Sequence, residues 1–348
     1  NHMLGGTIVL GEDDTQTIFC VSLKTSPKRT AQPDTLYRVA SITKIATALC
    51  VLRLAQKGLF TLSDRLFDLL PCVLPADHPL RAATLEMVLS HRSGLRDTPA
   101  YEAAFRAHDT YDAVLADPEV MLCPPGTRFK YCNFAFGLLG SLIEQVTGES
   151  LDAVFAREVF APLSMEAYMD VTRVPAERAM PISRVLPYIK SRDFTVAGAA
   201  AHAQPLTEAS PKTHFAYTAG GMYATAPAID RMLHMLARRG TLDGVEFLPA
   251  DVIDDMTRAH ASYGADAPDL DYGLGLILLR DPAVCDGLVI GHQGFAYGCV
   301  DGAFFEAATG RRIVQLNGGA SEYRAGRLGR LNRDLLRWAL KKENPAWL

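Results

Sequence analysis

Residues 37–58 read YRVASITKIATALCVLRLAQKG. Between Val39 and Leu52 the one charged side chain is Lys44. The rest of the run is apolar or small, so residues 41–57 are expected to form a helix ended by Gly58. A helix apolar nearly all round belongs in a core. Ser41 and Lys44, three residues apart, would share one face of it. An ammonium carried into a core loses hydration, which favours the neutral amine and lowers its pKa. A neutral amine beside a hydroxyl can take its proton, which is what a serine nucleophile needs. Unpaired N–H groups at the helix start add partial positive charge near Ser41.

Strand patterns lie at both ends of the chain. Residues 6–23, GTIVLGEDDTQTIFCVSL, read as two strands joined by a polar turn at Gly11–Thr15. From Tyr272 onward come YGLGLILL, GLVIGHQG and GAFFEAATGRRIVQLNG, the last with a hairpin turn at Ala308–Gly310. Helical patterns fill the middle: 84–90, 134–147 up to Gly148, 151–160 and 227–239. Residues 170–215 carry several prolines and read as long loops. Arg324 to Lys342 reads as an amphipathic helix.

The predicted class is therefore α+β, sandwich-like: an antiparallel sheet from the N- and C-terminal segments, flanked by helices, plus a mostly helical domain. Residues 3–60 and 205–348 would form the sheet domain and 61–204 the helical one. At roughly 150 residues per domain, a chain of 348 also suggests about two.

Composition narrows the function. A net charge of −4 and a pI near 6.2 argue against nucleic acid, which calls for a basic face. The longest uncharged run, Thr213 to Ile229, is broken by Gly220, Gly221 and Pro227. No run reaches the ~18 apolar residues of a membrane span. The expected partner is a small-molecule or peptide substrate; oligomeric state is left open. Seven cysteines at irregular spacing, with no CxxC, signal neither a zinc site nor a redox pair, and no cofactor or metal is expected. Free thiols favour the cytoplasm, or the periplasm or exterior if a leader has been trimmed. Asn1-His2-Met3 reads as a cloning remnant.

Two further motifs bear on chemistry. Tyr131-Cys132-Asn133 is the one YxN in the chain and directly precedes a helix. A cation close to Tyr131 would lower the pKa of its phenol, and the Asn133 amide both donates and accepts. Taken alone, Tyr131 reads as a half-buried aromatic and Asn133 as an N-cap. His292-Gln293-Gly294 is the one HxG, at the end of an apolar strand. His292 would supply a donor or a weak positive charge, and Gly294 would let a substrate backbone approach. Taken alone, it reads as a bulged strand end.

Together, Ser41-x-x-Lys44, Tyr131-x-Asn133 and His292-x-Gly294 resemble the motifs of serine hydrolases related to class C β-lactamases, D-alanyl-D-alanine carboxypeptidases and β-lactamase-like esterases. Order and spacing are similar to class C members. TLYRVASITKIATA, LEMVLSHRSGL, PPGTRFKYCNFAFGLLGSLIEQVTG and AGGMYATAPAIDRML resemble further blocks of the family, so the likeness spans nearly the whole chain. It implies a β-lactamase/transpeptidase-like fold and an acyl-enzyme mechanism. Ser41 would be the nucleophile, with Lys44 and Tyr131 sharing the proton traffic. Tyr131 would be the general base in deacylation. Asn133 would hold Lys44 or the substrate carbonyl, and His292 would stand where β-lactamases carry lysine. Backbone N–H groups of Ser41 and Phe295 would form the oxyanion hole. The turn around His91 is read as structural. Gln293 removes the small hydroxyl that binds a β-lactam carboxylate, so peptidase, amidase or esterase activity ranks above β-lactam hydrolysis. The alternative is a non-catalytic penicillin-binding-like scaffold.

Overall fold

The fold is described from a computed structural model, which covers residues 3–22, 30–185, 188–190 and 195–341. Asn1-His2, residue 23 and the helix end expected at Lys342 lie outside the described residues.

The chain begins with the expected hairpin, β1 (Gly5–Glu12) and β2 (Thr15–Ser22). Six strands from the C-terminal part join it: β3 (Ala261–Ser262), β4 (Leu270–Tyr272), β5 (Ile277–Leu279), β6 (Val289–Ala296), β7 (Cys299–Glu306) and β8 (Arg312–Gly318). They form one sheet in the order β3-β4-β5-β6-β7-β8-β1-β2. Every neighbouring pair in it is antiparallel. The fold is thus α+β, with a sheet assembled from the two ends of the chain.

Both faces of the sheet are covered, so β7 and β8 are buried along nearly their whole length, polar Asp301, Arg312, Gln315 and Asn317 included. Ala303, Phe305, Val314 and Leu316 pack in the large core that also holds α1 (Thr43–Gln56). That core takes in the inner residues of α2 (Pro99–Ala107), α3 (Asn133–Thr147) and α4 (Ala226–Ala237). Phe304 and Ile313 point the other way, to Leu336 of α5 (Arg330–Lys341).

Three expectations are corrected. Residues 324–329 are not helical: Arg324–Ala325 and Leu328–Gly329 pair as β9 and β10, and α5 starts at Arg330. Helix-forming side chains dominate that segment, but its backbone closes a tight hairpin. Residues 170–215 are not only loop, since they include a helical turn at Val171–Arg173, paired strands Ser183–Val185 and Tyr188–Lys190, and a helix at Val196–Ala200. The helix expected from 41 starts at Thr43, and Ala40–Ile42 form a preceding 3₁₀ turn.

Candidate active site

Ser41 lies in that 3₁₀ turn, not in the α-helix. Ala40 before it adopts a left-handed backbone, φ 45°, a conformation that costs a non-glycine residue energy and clusters at functional sites. Thr43 holds the turn by donating from Oγ1 to Ala40 O at 2.6 Å and accepting from Met222 N at 3.2 Å. Gly294 of β6 packs beneath it. A Cβ there would lie 2.3 Å from Val39 O, so this glycine admits the turn that carries Ser41. That corrects the expectation that Gly294 makes room for a substrate.

Lys44 is fully buried. Its Nζ lies 2.7 Å from Ala219 O, 2.9 Å from Asn133 Oδ1 and 3.3 Å from Ser41 Oγ. Burial is the main cause that takes its pKa down from 10.5 to about 7, against the pull of Asp97. Ala219 reaches Lys44 because the short helix Tyr217–Gly220 is clamped between α1 and α3. Thr47 Oγ1 donates to Thr218 O at 2.8 Å, and Thr218 Oγ1 donates to Phe136 O at 2.8 Å. Gly137 makes the contact with α3 possible, since a Cβ there would meet Phe215 O at 1.5 Å.

Tyr131 lies beside Ser41, near enough for the serine hydroxyl to bear on its phenol. Lys44 Nζ lies 4.8 Å from the centroid of its ring. The cation expected near Tyr131 is present, yet the phenol pKa goes up rather than down. Burial raises it, and the neighbouring Ser41 hydroxyl only partly offsets this. The shift is opposite to the one expected from a nearby cation and favours the protonated phenol. Asn133 is the first residue of α3, not its cap: Cys132 caps the helix, its Sγ accepting from Ala135 N.

His292 is buried and neutral. Burial, then the nearby Lys44, takes its pKa down to about 3. Its Nδ1 lies 2.7 Å from Gln293 O and its Nε2 3.1 Å from the Tyr272 hydroxyl. A carbonyl only accepts, so Nδ1 carries the proton and Nε2 accepts from Tyr272. Both nitrogens are engaged, which corrects the expectation of a free donor or a weak positive charge. Gln293 points away from the site: its Nε2 donates to Arg327 O at 2.7 Å and its Oε1 accepts from Gly329 N at 2.9 Å. Phe295 lines the same cavity as Ser41, and its ring stacks under Arg324, with Cζ 3.8 Å from the centroid.

The structure thus brings Ser41, Asn133 and the Tyr131 ring together around the Lys44 amine, with Phe295 lining the same cavity as Ser41. The β-lactamase family model matches residues 3–314. The chain belongs to the β-lactamase family. It is a hydrolase of that family, as its motifs led one to expect. It is 30% identical over 309 residues to esterase EstB of Burkholderia gladioli, covering 77% of this chain and 75% of that protein. Penicillin-binding protein 4 of Amycolatopsis lactamdurans is 30% identical over 138 residues, 39% of this chain and 36% of that one. Among solved structures, the D-amino acid amidase of Ochrobactrum anthropi SV3, complexed with L-phenylalanine, superposes with a TM-score of 0.75 at 21% identity. That match covers 98% of this chain and 94% of the amidase. A D-stereospecific amidohydrolase from Streptomyces gives a TM-score of 0.71 at 23% identity, covering 98% of this chain and 95% of that one. Both likenesses fit the transpeptidase-like fold.

Residues that the motifs did not point to also build this site. Asp97 accepts from Asn133 Nδ2 at 3.0 Å, Asn133 N at 3.0 Å, Phe134 N at 2.8 Å and Cys132 Sγ at 3.3 Å. It thereby caps α3 and turns the Asn133 amide so that Oδ1 faces Lys44. Tyr272 donates its hydroxyl to His292 Nε2, occupying the nitrogen that the Gln293 carbonyl leaves unprotonated. His91, read as structural, packs its ring 4.3 Å from that of Tyr131, and its Nδ1 accepts from Cys132 N at 3.2 Å.

Proposed function

We propose that this protein is a serine hydrolase that opens an amide or ester through an acyl-enzyme on Ser41. The observation that carries the reading is a fully buried amine 3.3 Å from a hydroxyl, with burial taking its pKa down to about 7 so that the neutral form is available near neutral pH. A neutral lysine has two N–H bonds and one lone pair. The closer acceptors, Asn133 Oδ1 and Ala219 O, take the two protons. The lone pair is then left facing Ser41 Oγ at 3.3 Å. Lys44 takes the proton as Ser41 attacks the carbonyl carbon. Backbone N–H groups of Ser41 and Phe295 receive the developing oxyanion, an arrangement worth about 10²–10³ in rate per donor.

Tyr131 lies beside Ser41 and its phenol is favoured in the protonated form, so it is suited to hand a proton to the departing amine or alkoxide and recover one from Lys44. In deacylation Lys44, neutral again, activates water. The third motif offers no cation to a β-lactam carboxylate, because His292 is uncharged and Gln293 is turned away. Esters and amides are therefore the favoured substrates, in keeping with an esterase and amidases among the similar proteins.

The test is labelling by a fluorescent fluorophosphonate, with Ser41→Ala as control. Labelling that disappears in the variant is expected. Labelling that persists in it, or never occurs, refutes the assignment and favours a scaffold without catalysis.

A further inference from the structure

We infer that the cavity beside Ser41 is an acyl chamber for a bulky aryl-alkanoyl group that carries no free ammonium. The inference rests on Ser41 being the nucleophile. The position of Tyr131 decides which half of the substrate lies where. A phenol that protonates the leaving group must stand on the leaving-group side of Ser41. A cavity of about 600 Å³ opens from Ser41 and Asn133, and neither Tyr131, His292 nor Arg324 lines it. It therefore receives the acyl half.

The walls are aromatic and aliphatic: Tyr101, Phe105, Met169, Val171, Tyr217 and Tyr223. Against them stand Ala199, Ala203 and Ala216, whose short side chains leave the space open. Burial of an aryl ring there is favoured roughly in proportion to the apolar area removed from water.

Charge decides the rest. Glu102 is the one carboxylate among the described lining residues, and two guanidiniums, Arg38 and Arg106, line the cavity with it. Glu102 and Arg106 pair at 2.9 Å on the exposed rim. Arg38 stands over Tyr297, with Cζ 5.0 Å from the ring centroid. An ammonium on the carbon next to the scissile carbonyl would need acceptors near Ser41. Asn133 Oδ1 and Ala219 O already serve Lys44. The Asp97 carboxylate already accepts four bonds. A buried cation without acceptors is strongly disfavoured. The chamber thus differs from one built for a free amino acid amide.

The test compares methyl esters, so that the leaving group stays constant, at pH 6.5 where an α-ammonium is charged. The acyl groups are acetyl, 3-phenylpropanoyl, D- and L-phenylalanyl, and the N-acetyl forms of both. For the 3-phenylpropanoyl ester and at least one N-acetyl ester, kcat/KM is expected to exceed both free-ammonium esters and methyl acetate at least tenfold. Ala203→Trp fills the chamber and should cut kcat/KM for the 3-phenylpropanoyl ester at least tenfold more than for methyl acetate; equal losses on the two esters would count against the chamber. Ala199→Phe provides an independent filling should the first variant not fold. Free-ammonium esters, or methyl acetate, cleaved as well as the 3-phenylpropanoyl ester would overturn the inference. Ser41 labelling with no turnover of any ester would do the same. In either case labelling at Ser41 keeps the nucleophile reading standing; loss of that labelling removes both.

Discussion

Replacing Lys44 by methionine separates the ionisation of this residue from every other contribution it makes. Wild-type Lys44 has a pKa of about 7 in the folded state, against 10.5 for the free side chain. Between those values the unfolded chain binds a proton that the folded one does not. Stability therefore rises with pH across that window and is flat with respect to Lys44 below it. At one pKa unit per 1.36 kcal/mol, holding this amine in the core costs about 4 kcal/mol at pH 7 and about 2 kcal/mol at pH 9. Methionine keeps the length and removes the charge. It leaves Asn133 Oδ1 and Ala219 O without their donor, at about 1–3 kcal/mol each, but that loss does not change with pH. Buried thiols and phenols titrate in both proteins and cancel in the difference. Urea unfolding of wild type and Lys44→Met at pH 7, 8 and 9 should show the variant gaining about 2 kcal/mol on wild type from pH 9 to pH 7. Parallel stability curves would refute the idea that burial holds this amine near neutrality, and with it the general base.

Three other substitutions probe the neighbours of Lys44. Tyr131→Phe should slow anilide or amide cleavage about 10²-fold while affecting a nitrophenyl ester far less, since nitrophenolate leaves without a proton; equal losses on both would deny Tyr131 its role as acid. Asp97→Ala should cost about 1–2 kcal/mol through loss of the α3 cap, lower kcat more than it raises KM, and move the alkaline-rising limb of the rate profile to lower pH, because Asp97 is the charge that raises the Lys44 pKa; an unmoved limb would make Asp97 a cap and nothing more. Gly294→Ala places a methyl 2.3 Å from Val39 O and should destabilise by about 1–3 kcal/mol while lowering kcat with little change in KM; a change in KM alone would mean that the glycine faces substrate after all.

Much of the sheet and α1 was legible because periodicity is a local signal. Residues 6–23 place two apolar, β-branched runs around a polar turn within one stretch, and residues 43–56 are apolar nearly all round, so neither needs knowledge of its partners. The hairpin at 324–329 was not legible, since arginine, alanine and leucine favour helix in isolation and only closure of the chain between β8 and α5 decides otherwise. The pair Ser41–Lys44 could be read from one helical turn. Asp97 could not, because it acts largely through backbone N–H groups of Asn133 and Phe134, which leave no trace in residue identity. The state of His292 was equally hidden: its second nitrogen is taken by Tyr272, and burial among aromatic rings, not the HxG pattern, makes it neutral.

The same physical cause sets both proton carriers, with opposite signs. Burial pushes the lysine pKa down and the tyrosine pKa up, and in each case the favoured form is the uncharged one. Above pH 7 the uncharged forms of the pair beside Ser41 are thus favoured, and in the proposed mechanism charge appears only once Lys44 takes the Ser41 proton and the oxyanion forms. A site that polarises in this way gains most from fixed dipoles that need no rearrangement. The backbone N–H groups at the start of α1, the strained turn at Ala40 and the close packing of Gly294 on Val39 supply such rigidity. Charge that develops between groups fixed inside a core is weakly screened by salt. The rate on a neutral ester should accordingly change little between low and high ionic strength, whereas a site depending on the exposed Arg324 would lose activity as salt rises.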